Sequence, residues 1–176
     1  MFEHSAILQI AALLQKSRLT VALTGAGISV ESGIPAFRGS QGLWDRYDPL
    51  EYAHIDAFLA DPGKVWRMLV ELGGLVDRAE PNPAHWALAQ LEEWGHLKAV
   101  ITQNIDALHQ RAGNREVIEY HGNGQRLRCL QCEKVFDKEA VSLSVLPPAL
   151  SLSGVIETRS GFFRRTHSGT GQPTGL

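Results

Sequence analysis

Residues 24–44, TGAGISVESGIPAFRGSQGLW, constrain this chain more than any other stretch. A short apolar run at residues 19–23 precedes them and has the length and composition of a buried strand. Gly25, Gly27 and Gly33 follow, where a chain leaving a sheet must turn tightly. Glycine lets backbone N–H groups approach a ligand with no Cβ in the way. A helix opening just after such a turn leaves unpaired N–H groups at its positive dipole end, which suits an anion the size of a pyrophosphate. The spacing G-x-G-x-x-x-x-x-G is not the dinucleotide fingerprint G-x-G-x-x-G, and on the glycines alone an ordinary turn is the better reading. The continuation Pro35-Ala36-Phe37-Arg38 changes that balance. Packing asks for neither an aromatic ring nor a permanent cation in a glycine-rich loop, whereas an anionic ligand with a flat ring uses both.

The rest of the chain alternates strand and helix patterns. Residues 5–16 place Ile7, Leu8, Ala11, Ala12 and Leu14 at helical spacing, with Ser5 as a cap. Residues 45–59 read as mixed and turn-rich, with Asp48-Pro49 and Asp61-Pro62 as breakers. Residues 63–76 and 84–94 read as helices, the first with Val65, Trp66, Leu69, Val70 and Leu72 on its apolar side. Strand patterns at 98–102 and 117–120 complete a parallel, doubly wound arrangement. Gln103, Asn104 and Asp106 follow the second strand and His121 ends the third, at the edge where open α/β sheets bind ligands. Asp106 also suits a helix cap, and His85, near a helix start, reads as structural.

Composition sets limits. A chain of 176 residues holds one domain, or one domain plus a small module. A formal charge of -2 gives no general attraction to nucleic acid or anionic membrane, so any anion site is local. No run approaches the roughly 18 apolar residues of a membrane helix. Glu3 and His4 stand where a secretory signal has basic residues, so the expected location is cytoplasmic. Cys129 and Cys132 have C-x-x-C spacing, which fits half of a tetrahedral zinc site or a redox pair equally well.

The glycine stretch resembles the sirtuin family, the NAD-dependent protein deacylases. Thr102-Gln103-Asn104-Ile105-Asp106 and Tyr120-His121-Gly122-Asn123 resemble the family's next two motifs, in the family's order. The resemblance implies a Rossmann-like α/β fold, a parallel sheet with helices on both faces whose C-terminal half is incomplete, plus a small partial zinc-ribbon and helical module. It implies NAD-binding segments at 1–46 and 83–124, a helical insertion at 47–82, a partial zinc module at 125–148 and an aberrant, disordered tail at 149–176. It further implies that NAD is consumed: nicotinamide leaves, and the carbonyl oxygen of an acetyl-lysine protein or peptide attacks the ribose carbon. By the same resemblance Gly25, Ala26 and Gly27 hold the pyrophosphate, Arg38 adds charge, Phe37 shields the ribose, and Pro35 and Trp44 belong to the same cofactor-binding loop. Asp106 and the Ile105 backbone hold the nicotinamide carboxamide, Gln103 and Asn104 contact its ribose, and His121 is the general base, with Asn104 its catalytic companion. Cys129 and Cys132 are two ligands of a structural Zn2+ whose site is incomplete. Relatives that favour acidic acyl groups carry Tyr-x-x-Arg where this chain has Leu69 and Leu72, so a neutral acyl group is expected.

The resemblance stops near residue 148. Residues 154–168 admit codons that, read one base on, spell Val-Ser-Leu-Arg-Pro-Gly-Val-Val-Phe-Phe-Gly-Glu-Pro-Ile, which resembles the missing family segment. In that frame Leu150-Ser151 and Leu152-Ser153 each allow a cysteine. The expectation is a truncated or frameshifted form, weakly active or inactive. The alternatives are a non-catalytic NAD-binding fragment and a mono-ADP-ribosyltransferase.

Overall fold

The computed structural model describes residues 4–39 and 42–148 and the backbone of 156–160. Helix α1 (His4–Lys16) leads into β1 (Val21–Thr24), which pairs with β2 (Ala99–Thr102), which pairs with β3 (Val117–Glu119). Both pairings are parallel, with Thr24 opposite Thr102 and Thr102 opposite Glu119. Parallel neighbours need crossover connections. Helices α2 (Pro49–Tyr52), α3 (Ile55–Ala60), α4 (Pro62–Arg78) and α5 (Pro83–Glu93) lie between β1 and β2, and α6 (Leu108–Ala112) lies between β2 and β3. The expected α/β class therefore holds, as a three-stranded parallel sheet.

Two local expectations change. The helix after the glycine turn is a 3-10 helix, Ala26–Ser32, ended by Gly33 at φ 86. Gly27, Ser29 and the β-branched Ile28 and Val30 are poor α-helix formers, which favours the tighter form. The first strand, expected to be buried, leaves Val21 49% and Leu23 71% exposed. It is a sheet edge, and the neighbouring helix α1 also exposes Ile7, Leu8, Ile10 and Leu13.

The Asp-Pro pairs begin helices. Asp48 accepts from the Leu50 N–H with Pro49 opening α2, and Asp61 accepts from the Lys64 N–H with Pro62 opening α4. An acceptor at the cap followed by proline in the first turn is a start signal, because proline's missing N–H is not needed there. The turn-rich reading of 45–59 is thereby replaced by α2 and α3.

These helices share one core with a second sheet, ordered β5-β4-β6, made from β4 (Gly122–Cys129), β5 (Val135–Asp137) and β6 (Ile156–Ser160). Phe58, Val65, Trp66 and Met68 from the helices close on Leu127 from β4, with Leu69, Leu72, Val141 and Leu143 partly buried around them. The helical insertion and the cysteine-bearing strands are thus one packed unit. Strand β6 falls within the tail expected to be disordered, yet it pairs antiparallel with β4 from Ile156 opposite Cys129 to Ser160 opposite Gly122. The remainder of that expectation, and the positions of the out-of-frame cysteines, lie outside the described residues. Among the described residues no helix is long and apolar enough to cross a membrane.

Candidate functional site

The register aligns the C-terminal ends of β1, β2 and β3, and hydrogen bonds carry the alignment into the segments that follow. The Gln103 N–H donates to the Thr24 carbonyl at 3.0 Å, the Tyr120 N–H to the Thr102 carbonyl at 2.9 Å, and the Gly124 N–H to the Ile105 carbonyl at 3.0 Å. A Cβ at Gly124 would stand 3.0 Å from the Ile105 oxygen, so a side chain there would need this backbone to give by a few tenths of an ångström.

Side chains then tie the glycine turn to the acidic turn. Asn104 Nδ2 donates to the Gly25 carbonyl and to Ser29 Oγ, both at 3.1 Å. Ser29 Oγ donates to Asp106 Oδ2 at 2.7 Å, and Asp106 Oδ1 accepts from the Leu108 N–H at 3.0 Å. Ser29, Asn104 and Asp106 are all buried. Asp106 thus caps the turn leading into α6 and binds Ser29 at once.

The loop beyond the glycine turn folds back on itself. The Leu43 N–H donates to the Ala36 carbonyl and the Trp44 N–H to the Phe37 carbonyl, and the Phe37 and Trp44 rings stack with centroids 5.4 Å apart. Pro35 and Ala36 are half-buried, while Phe37 and Arg38 are exposed. Ala26 is half-buried and Gly27 exposed, no side chain caps the 3-10 helix, and nothing stands within 4 Å of where a Gly27 Cβ would be. The turn is open to an approaching group.

His121 follows β3 directly, half-buried, with the Tyr120 ring edge-on at 5.0 Å. His85 has the structural role read from its position. Its Nδ1 accepts the Asn82 N–H while the Asn82 side chain accepts from the Ala84 N–H, a capping box that starts α5. Asn82 Nδ2 also donates to the Ile28 carbonyl and to Ser32 Oγ, which holds the 3-10 helix against α5.

Cys129 is buried at the end of β4 and Cys132 is exposed. Backbone N–H groups of Cys132 and Gln131 lower the Cys129 thiol below its usual range. That favours a thiolate, but among the described residues no group of three or more His, Cys, Asp or Glu could hold a metal. Two sulfurs do not complete a tetrahedral zinc site.

Sequence reasoning missed Ser29, Asn82 and His109, whose Nε2 meets Thr24 Oγ1 at 2.9 Å. Asn82 had a signal in Asn82-Pro83-Ala84-His85, a cap followed by proline and a side chain able to reach back. Ser29 and His109 had none of their own, because their partners lie 77 and 85 positions away.

The chain is 54% identical over 127 residues to NAD-dependent protein deacylase 2 of Archaeoglobus fulgidus, covering 72% of this chain and 50% of the relative. It is 48% identical over 151 residues to the NAD-dependent protein deacylase of Aeropyrum pernix, covering 86% and 62%. The chain thus spans about half the length of the curated relatives it matches, from 50% to 62% in these two. Among solved structures it resembles a mutant Sir2 homologue in complex with ADP-ribose, with TM-score 0.81, 43% identity and coverage of 85% of this chain and 61% of that one. It also resembles a Sir2 complex with p53 peptide and NAD+, with TM-score 0.76, 44% identity and coverage of 88% and 63%. The family profile matches residues 25–165, so the likeness runs past residue 148, where the sequence reading ended it. With that profile covering most of its length, the chain belongs to the Sir2 family.

Proposed function

We propose that the C-terminal ends of β1, β2 and β3 form an NAD site and that this chain carries the NAD-handling half of a protein-lysine deacylase. The observation that supports this most is the parallel register, with Thr24, Thr102 and Glu119 level across the sheet, because it brings the glycine turn, the acidic turn and the His121 turn to one edge. Gly25, Ala26 and Gly27 present backbone donors to the pyrophosphate, and exposed Arg38 adds a guanidinium whose fork suits phosphate oxygens. Phe37, braced by Trp44 and stiffened by Pro35, covers the ribose face. Asp106 accepts from the carboxamide NH2 and the Ile105 N–H donates to its oxygen. Gln103 and the free Oδ1 side of Asn104 face the ribose. His121 takes a proton from a ribose hydroxyl, a task suited to an imidazole, whose two ring nitrogens can accept and donate protons. When bound, NAD supplies a bond to nicotinamide that breaks without redox chemistry.

The acyl-lysine partner is a protein or peptide, and Leu69 and Leu72, half-buried in the helical core, offer no cation to an acidic acyl group. The second reading, a non-catalytic NAD-binding fragment, is favoured by the exposed apolar residues of α1 and β1 and by the cysteine pair without further ligands among the described residues. Low turnover follows from both features. The out-of-frame origin of the tail is a separate proposal that the coding DNA decides.

Nicotinamide release, measured with and without an acetyl-lysine peptide, tests the reading. NAD binding with little release is the expected result. Peptide-dependent release abolished by His121→Ala would establish a competent deacylase. Release that needs no peptide would favour transfer of ADP-ribose to another acceptor, and absence of NAD binding would overturn the site.

A further inference from the structure

We propose that His109 is a positioning residue: its ring fixes the Thr24 hydroxyl and so holds the glycine turn in register with the acidic turn at Asp106. This inference rests on the NAD reading above. His109 is the second residue of α6, three positions beyond Asp106, and is 1% exposed. Its Nε2 lies 2.9 Å from Oγ1 of Thr24, the last residue of β1 and the neighbour of Gly25. Main-chain bonds carry the alignment to Gln103, Tyr120 and Gly124, whereas the main-chain bonds of the glycine turn run among its own residues, as from Ile28 to Gly25 and from Ile34 to Ser29. Side chains tie the glycine turn to the acidic turn. Asn104 and Ser29 do so on one side, and the His109 ring meets the root of the glycine turn from α6.

Glu92 is a carboxylate held below its usual pKa by its donors, among them Asn114, and it can only accept. Asn114 therefore meets it with Nδ2, at 2.6 Å, which leaves Asn114 Oδ1 as an acceptor facing inward. Neither that oxygen nor His109 Nδ1 has a hydrogen-bond partner among the described residues. With its proton on Nδ1 the ring accepts from the Thr24 hydroxyl at Nε2, and with the proton on Nε2 it donates to Thr24 Oγ1; either tautomer makes the bond. Glu92 also accepts the Arg115 and Glu116 N–H groups, so the far end of this chain of contacts is anchored. On the other side His85 packs its ring 4.9 Å from that of His109. Its Nδ1 accepts from Asn82, so its proton sits on Nε2.

The titratable and polar groups facing the ring are thus Thr24 from β1, His85 from α5, Asp106 from the turn before α6, and Asn114 after it. An imidazolium donates from both nitrogens. A charged His109 therefore meets Thr24 Oγ1 only as a donor, and the hydroxyl loses the ring as an acceptor.

The experiment uses the full chain, ADP-ribose as probe, and the variants His109→Gln, Thr24→Val and their combination. Calorimetry at pH 7.5 should find each single variant roughly tenfold weaker, as for loss of one buried hydrogen bond, and the double variant no weaker than either. Amide exchange should quicken across residues 25–33 in every variant while α4 keeps its protection. Additive losses in the double variant or unchanged exchange in the turn would each overturn the positioning role while leaving the NAD reading intact. A parent chain that binds no ADP-ribose would overturn both. If His109→Gln fails to fold, Thr24→Val, which keeps the ring, reads the same bond through exchange and affinity.

Discussion

Ser29 donates its hydroxyl proton to the Asp106 carboxylate across 2.7 Å, and both residues are buried although 77 positions separate them. The contact joins the 3-10 helix after β1 to the turn after β2, and Asn104 completes it by donating to the same hydroxyl. A buried carboxylate that loses such a donor keeps its desolvation penalty without the compensation.

Replacing Ser29 with alanine should therefore lower stability by about 1–3 kcal/mol, the cost of leaving a buried polar group underpaired. Urea unfolding of parent and variant measures this. An unchanged midpoint would mean that Asp106 finds another donor.

Acid should weaken the fold in a window set by the buried imidazoles. Burial pushes His85 below the usual histidine range, and burial together with the neighbouring His85 ring does the same for His109. Each binds fewer protons folded than unfolded. Their stabilising effect is full above the unfolded pKa near 6.5 and is lost as pH falls below it through the folded values. The slope reaches at most about 1.4 kcal/mol per pH unit for each ring. The urea midpoint should be level from pH 7 to 8 and fall below pH 6.5, and a flat profile down to pH 5.5 would contradict the buried, neutral pair.

Leu127 is the point at which β4 enters the helical core of Phe58, Val65, Trp66 and Met68. Truncation to alanine should cost about 2–5 kcal/mol through lost burial and a cavity. Exchange should rise in α4 and β4 together, because one core serves both. A rise confined to β4 would show that the helices and the strands are separate units.

Cys129 and Cys132 should hold zinc poorly, since two thiolates fill half of a tetrahedral shell. Elemental analysis after dialysis should find well below one zinc per chain. A full, tightly held equivalent would place further ligands outside the described residues.

What the sequence made legible was local. The strand and helix periods of 98–102, 84–94 and 63–76 reappear as β2, α5 and α4 within a few residues, because apolar spacing and caps are properties of neighbouring positions. The placing of Gln103, Asn104, Asp106 and His121 after strand ends followed from the same patterns. Three things were not legible. The Asp-Pro pairs were read as breaks because proline ends and starts helices with the same letters, and only the carboxylate reaching the Leu50 and Lys64 N–H groups distinguishes the two. The exposure of β1 depends on which elements cover an edge, which its own apolar run does not encode. The partnerships of Ser29 with Asp106 and of Thr24 with His109 exist only once the parallel register has been formed.

The central claim is that the turns after β1, β2 and β3 surround one NAD molecule. Amide hydrogen exchange of the full chain across an NAD titration tests it most directly. Residues 25–38, 103–106 and 120–123 should gain protection together, with the same dependence on NAD concentration. Protection confined to one of these segments, or absent from all of them at saturating NAD, would contradict the account.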